Sequence, residues 1–117
     1  MQYMALIYSD PSLEPAYGSP EFEAMMKDYF AFDKALRAAG AHVAGEELTG
    51  VETATSLKIR NGKVETMDGP FAETKERLGG FYIFDVPDLD AALRFAAMIP
   101  SAPYGTIEVR PVMKHNS

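Results

Sequence analysis

Asp68, Glu108 and Arg110 are the side chains whose types and placement could do chemistry. Asp68 opens the turn Asp68-Gly69-Pro70, where Gly69 can take positive φ and Pro70 fixes φ and removes an N–H. The carboxylate therefore stands at a defined backbone position, with two readings. It can cap its own turn by accepting backbone hydrogen bonds, or handle a proton if an apolar neighbourhood raises its pKa. Glu108 and Arg110 are two apart and leave an extended chain on the same side. Arg110 would hold a carboxylate or phosphate in its bidentate fork, which makes a small anionic ligand the expected partner class. The alternative is an ion pair of Arg110 with Glu108 or Asp68. Between these sites, Glu73-Thr74-Lys75-Glu76-Arg77 alternates acids and bases, the pattern of a solvated connecting segment.

Other chemistries are disfavoured. Without cysteine there are no disulfides, thiolates or cysteine-based metal sites, which fits a reducing, cytoplasmic location. The two histidines are too few for a dedicated zinc or haem site, and no cofactor is expected. His42 reads as a partly exposed residue at the start of a strand, and His115 belongs to the C-terminal tail. Tyr8, Tyr29, Tyr82 and Tyr104 offer hydroxyls, although such residues usually serve as core with a wet tip. No phosphate-binding loop, dinucleotide fingerprint or nucleophile elbow occurs. A net charge of −6, with the eleven Lys and Arg scattered singly, argues against direct nucleic-acid contact. No run approaches the roughly 20 apolar residues needed to span a bilayer, and no basic leader precedes Tyr3, so no membrane role is expected.

The length is that of one domain, taken as residues 1–113 with a short tail at 114–117. Both alternating sets of Tyr3 to Ser9 are apolar, which predicts a strand covered on both faces. Ser19 and Pro20 then start a helix carrying Phe22, Met25, Met26, Tyr29, Phe32 and Leu36 at three- and four-residue steps, read as core packing, with Gly40 as its stop. A short strand begins at His42. Asn61-Gly62 lies between two strand-like runs, the preferred two-residue hairpin turn. That hairpin should pair Ile59 with Val64, Lys58 with Glu65 and Thr55 with Asp68, placing Asp68 on the side of Leu57, Ile59 and Val64. Gly79-Gly80 reads as a bulge or close backbone approach before a strand at Phe81 to Val86. A second helix follows Pro87-Asp88 and stops at Pro100, and Thr106 to Met113 supplies the last strand. The order predicts an α+β fold, a ferredoxin-like split βαβ unit with an inserted β-hairpin. Helices would cover one sheet face. The doubly apolar first strand needs a cover on the other, for which a second copy is the simplest candidate.

The string Asp68-Gly69-Pro70-Phe71-Ala72-Glu73-Thr74-Lys75-Glu76-Arg77-Leu78-Gly79-Gly80, with the opening YMALIY strand and the closing IEVRPVM, resembles the DGPF-type branch of the YCII-related proteins over nearly the whole chain. The resemblance implies a homodimer of the dimeric α+β barrel type. It promotes Lys75 and Glu73, within the matching AETKE motif, to candidate ligand-binding residues beside Glu108 and Arg110, with Asp68 as the catalytic candidate. In other YCII-type relatives a histidine in the first helix and an aspartate near the end of the second form a proposed catalytic pair. Neither has a counterpart here, because the first helix lacks His and the second ends Ala96-Ala97-Met98-Ile99-Pro100. Two functions follow as expectations: a small-molecule-binding homodimer with a polar pocket and cofactor-independent acid/base chemistry, or a non-catalytic regulatory module associated with extracytoplasmic-function sigma factors.

Overall fold

Local signals set the element boundaries in the computed structural model, which describes residues 1–115 and so leaves the last two residues of the expected tail outside. Strand β1 spans Gln2–Ser9 and helix α1 spans Pro20–Ala38. The Ser19 hydroxyl accepts the Phe22 N–H at 3.1 Å, Pro20 occupies the first turn where an N–H is dispensable, and Gly40 ends the helix at φ +69°. Strand β2 (His42–Glu47) runs longer than its short predicted start and leads through a 3₁₀ turn at Val51–Thr53 into β3 (Thr55–Arg60) and β4 (Lys63–Asp68). Strand β5 (Arg77–Asp85) begins four residues before the expected Phe81. Helix α2 (Leu89–Ala97) is capped by the Asp88 carboxylate, which accepts the Ala91 N–H at 2.9 Å. A 3₁₀ turn at Ala102–Tyr104 then leads to β6 (Gly105–Pro111).

The four-stranded sheet has the order β2-β5-β1-β6 and is antiparallel throughout, and β3 and β4 form a separate two-stranded sheet. This is the α+β, ferredoxin-like arrangement with an inserted hairpin. Ile59 faces Val64, Lys58 faces Glu65 and Thr55 faces Asp68. Asn61 and Gly62 both have positive φ, 51° and 76°, as the two-residue turn requires.

Two glycines let backbones approach. A Cβ on Gly80 would stand 2.7 Å from the Glu46 carbonyl oxygen, and one on Gly105 would stand 2.0 Å from that of Tyr8. Gly79 sits where the β1–β5 register slips between Ile7 and Tyr8, so the glycine pair is both a bulge and a close approach, inside β5 rather than before it.

The core lies on the helix side of the sheet, where Tyr3, Ala5 and Ile7 of β1 and Phe84 of β5 meet Phe32 and Leu36 of α1 and Ala92 and Ala96 of α2. The opposite face carries Met4, Leu6, Phe81 and Ile83 in cross-strand register, all half-buried. The doubly apolar β1 thus has one face covered within the chain. The molecule measures 49 × 45 × 17 Å, and its radius of gyration of 16.3 Å exceeds the roughly 13 Å of a compact chain of this length. A slab 17 Å thick holds one sheet and one helix layer.

Candidate ligand cleft

The apolar stripe of α1 divides its work along the helix. Phe32 and Leu36, in the C-terminal half, are buried, whereas Phe22, Met25, Met26 and Tyr29 are only half-buried. That N-terminal half walls a cleft of about 930 Å³ between α1 and the β2–β5 side of the sheet. Its size is at the upper end of ordinary small-molecule sites. Ile7, Ser9, Gly80 and Tyr82 form the floor, and β2 with the following segment forms the far wall.

Polar groups converge on this cleft. Ser9 is buried at the end of β1, and its hydroxyl donates to the Glu14 carboxylate. Ser101 is buried too, and its Oγ shares a 2.5 Å hydrogen bond with Tyr29 Oη. The Tyr82 ring meets Phe32 edge-on with centroids 5.3 Å apart and stacks on Phe84 at 6.0 Å. Room for it exists because Gly45 has no side chain: a Cβ there would lie 2.7 Å from the ring. Burial, followed by the charges of Tyr29, Asp33 and Glu47, pushes the Tyr82 phenol up to about 12. Burial raises Tyr29 as well, against the opposing hydrogen bonds from Ser101, while Glu14 and Glu47 push it further up. Both phenols are therefore protonated hydrogen-bond donors at neutral pH.

At one side of the cleft Asp33, Arg37 and His42 form a cluster. Arg37 Nε donates to Asp33 Oδ2 at 2.8 Å, one helical turn away. His42 Nε2 lies 3.6 Å from Asp33 Oδ1 and 3.4 Å from Arg37 Nη2. The imidazole is 14% exposed, more enclosed than a residue at the start of an edge strand would suggest. A histidine beside a carboxylate in a cleft has the chemistry of a general acid or base, and a neutral phenol can donate to the oxygen of a reacting group. Among the described residues, no lysine or cysteine lines the cleft, so these side chains offer no amine or thiolate nucleophile.

The residues singled out by sequence lie elsewhere. Asp68 is exposed at the end of β4. Its turn is pinned by the Gly69 N–H donating to the Ala54 carbonyl at 2.7 Å and by Ser56 Oγ donating to the Gly69 carbonyl at 2.8 Å; the Asp68 carboxylate joins neither bond. Glu108 and Arg110 are exposed on the helix-free face of β6, paired with Leu6 and Met4. Among the described residues, no ion pair joins Arg110 to Glu108 or Asp68. Glu73 and Lys75 are exposed in the connection between β4 and β5, where Glu73, Gly69, Pro70 and Arg77 border a depression of about 160 Å³. Lys75 and Arg77 are near enough to Asp10 to help lower its pKa, a shift caused first by hydrogen bonds from the Ser12 hydroxyl and backbone. The sequence candidates are therefore dispersed. The cleft groups were missed because Asp33 and His42 are nine residues apart in different elements, joined by the helix stop. Their one sequence signal is the Gly40 turn, which folds the strand start back beside the last turns of α1.

Fold and cleft together define a ferredoxin-like α+β protein with an open pocket between its first helix and its sheet. A family model described as the YCII-related domain matches residues 1–116. An uncharacterised protein of Rhizobium meliloti (strain 1021) is 40% identical over 114 residues, which span 96% of this chain and 92% of that protein. The chain belongs to the YCII-related family. Among the described residues, no helix is long and apolar enough to cross a membrane.

Proposed function

We propose that this protein is a DGPF-type, small-molecule-binding homodimer whose ligand occupies the α1–sheet cleft, and that His42, oriented by Asp33, moves a proton on that ligand while Tyr82 donates a hydrogen bond to it. The observation that carries the reading is the cleft itself: about 930 Å³ with aromatic and methionine walls, onto which two protonated phenols and a carboxylate-held imidazole converge. No cofactor is needed for such acid/base work. The cleft's charged lining is Glu14, Asp33, Glu47 and Glu52 against Arg37 and Arg77, with Arg37 already engaged by Asp33, which favours neutral or cationic ligands. A small anionic ligand would instead suit Arg110 with Glu108 on the open sheet face, or Lys75 with Glu73 and Asp68 beside the hairpin, and these five residues stand as a second candidate set.

A thermal-shift panel of neutral, cationic and anionic metabolites tests the assignment on wild type, Tyr82→Phe, His42→Gln and the pair Asp68→Asn and Arg110→Met. A ligand at about 100 times its dissociation constant adds roughly 2.7 kcal/mol, a rise of several degrees in Tm for a chain of this size. The expected outcome is a hit weakened at least tenfold by Tyr82→Phe, with solvent deuterium incorporated into the ligand by wild type and not by His42→Gln. A hit abolished by Asp68→Asn or Arg110→Met and untouched by the cleft variants would move the site. The competing reading, a regulatory module beside a sigma factor, predicts a silent panel and recovery of a sigma factor from native lysate.

A further inference from the structure

Ser101, Tyr29 and Tyr82 bring three hydroxyl protons to the cleft, and the chain uses one of them. Ser101 is 5% exposed and Tyr29 is half-buried, and their oxygens share a single 2.5 Å hydrogen bond in which either hydroxyl can donate. Two protons serve one bond, so one is left over. Among the described residues, neither hydroxyl has a second acceptor. If Tyr29 donated, the Ser101 proton would be stranded in the protein interior as an unsatisfied buried donor. If Ser101 donates, the spare proton belongs to Tyr29 and faces the open cleft. The Ser101 backbone N–H is turned to the same phenol oxygen, which also casts Tyr29 Oη as an acceptor from Ser101. Tyr82 is simpler. Its ring is packed by Phe32 and Phe84, and its hydroxyl has no hydrogen-bond partner among the described residues.

The two spare donors are neighbours, close enough for a charge on Tyr29 to act on Tyr82. They call for an acceptor with two lone pairs and no proton of its own, which describes a carbonyl oxygen. Charge narrows the class. Glu47 acts on both phenols, Glu14 on Tyr29 and Asp33 on Tyr82, so a carboxylate or phosphate placed there meets repulsion. Phe22, Met25 and Met26 offer the rest of the molecule an apolar wall. We propose that the cleft takes a neutral carbonyl compound with an apolar body, its carbonyl oxygen bound by the hydroxyls of Tyr29 and Tyr82, and that Ser101 is the positioning residue for Tyr29. The proposal rests on the α1–sheet cleft being the ligand site and adds to it the ligand class and the second donor.

The probes are acetophenone, acetylnaphthalene and benzophenone, each beside the alkene in which a methylene group replaces the oxygen. Binding to the full chain is followed at the Met25, Met26 and Met4 methyl resonances, and the bound carbonyl by its infrared stretch. At least one ketone should bind at Met25 and Met26 about tenfold more tightly than its alkene, with its stretch moved to lower frequency. Tyr82→Phe should weaken it roughly three- to tenfold and reverse part of that shift, as should Tyr29→Phe made together with Ser101→Ala so that no buried hydroxyl is orphaned. Ser101→Ala alone should leave ketone binding equal or weaker; tighter binding would mean that Ser101 holds the Tyr29 proton in the wild type, and overturns the two-donor site. A ketone and its alkene that bind equally at Met25 and Met26 overturn the carbonyl class and leave the cleft standing. Failure of every ketone to move Met25 or Met26 overturns the proposal, and the cleft reading falls with it only if the ketones move Met4 instead.

Discussion

Tyr82 shows how a single residue joins fold to chemistry. Its ring belongs to the core through Phe32 and Phe84, and its phenol belongs to the cleft, protonated to about 12 where an ordinary tyrosine titrates at 10.0. The sign of the linkage follows. The unfolded chain releases this proton near 10 and the folded chain holds it to about 12, so the stabilisation is complete below pH 10 and is lost as pH rises toward 12. Denaturation of wild type and Tyr82→Phe at pH 9 and pH 11.5 should show a larger pH-dependent loss in wild type, with some loss remaining in the variant because Tyr29 is raised too. Equal losses would mean that Tyr82 is not held in this environment. From sequence, Tyr82 and Tyr29 could be read only as core residues with wet tips, because the opening of the cleft depends on how far the N-terminal half of α1 stands off the sheet. His42 was harder still. Its neighbours come from a helix, and nothing in the residue's own surroundings along the chain specifies them.

At the scale of elements, turn chemistry carried the most information. Asn61-Gly62 fixed the hairpin register residue by residue, and Ser19, Pro20, Asp88 and Gly40 marked helix ends that the structure keeps. The start of β5 was less legible, since the charges of Glu73 to Arg77 suggested a connection and yet Arg77 and Leu78 pair with Ser9 and Tyr8. Pairing at a sheet's end depends on the neighbouring strand, whatever the local polarity. The glycines give a direct test of sheet assembly. Gly105→Ala forces a Cβ to 2.0 Å from the Tyr8 carbonyl oxygen and should cost about 1–3 kcal/mol or more by parting β6 from β1. Gly80→Ala, at 2.7 Å from the Glu46 carbonyl oxygen, should cost less, and urea midpoints of the two variants should rank in that order. The reverse order would show that β6 yields more easily than β2.

The whole molecule is a two-layer slab with helices on one face and a half-buried apolar face on the other. Apolar residues at both alternating sets of β1 predicted a cover on each face, and the helices supply one of the two. Monomer topology was legible because two helices and four sheet strands in this order leave few arrangements. The site was not, because it is assembled from β1, α1, β2 and β5 by tertiary packing. Methionines offer a map of these two faces, with Met25 and Met26 lining the cleft and Met4 on the opposite side of the sheet. Methyl-labelled NMR of the full chain, titrated with the strongest thermal-shift ligand, therefore tests the central claim most directly. Shifts at the Met25 and Met26 methyls that saturate while Met4 stays in place are the expected result; saturating shifts at Met4 with Met25 and Met26 unmoved would contradict a ligand site in the α1–sheet cleft.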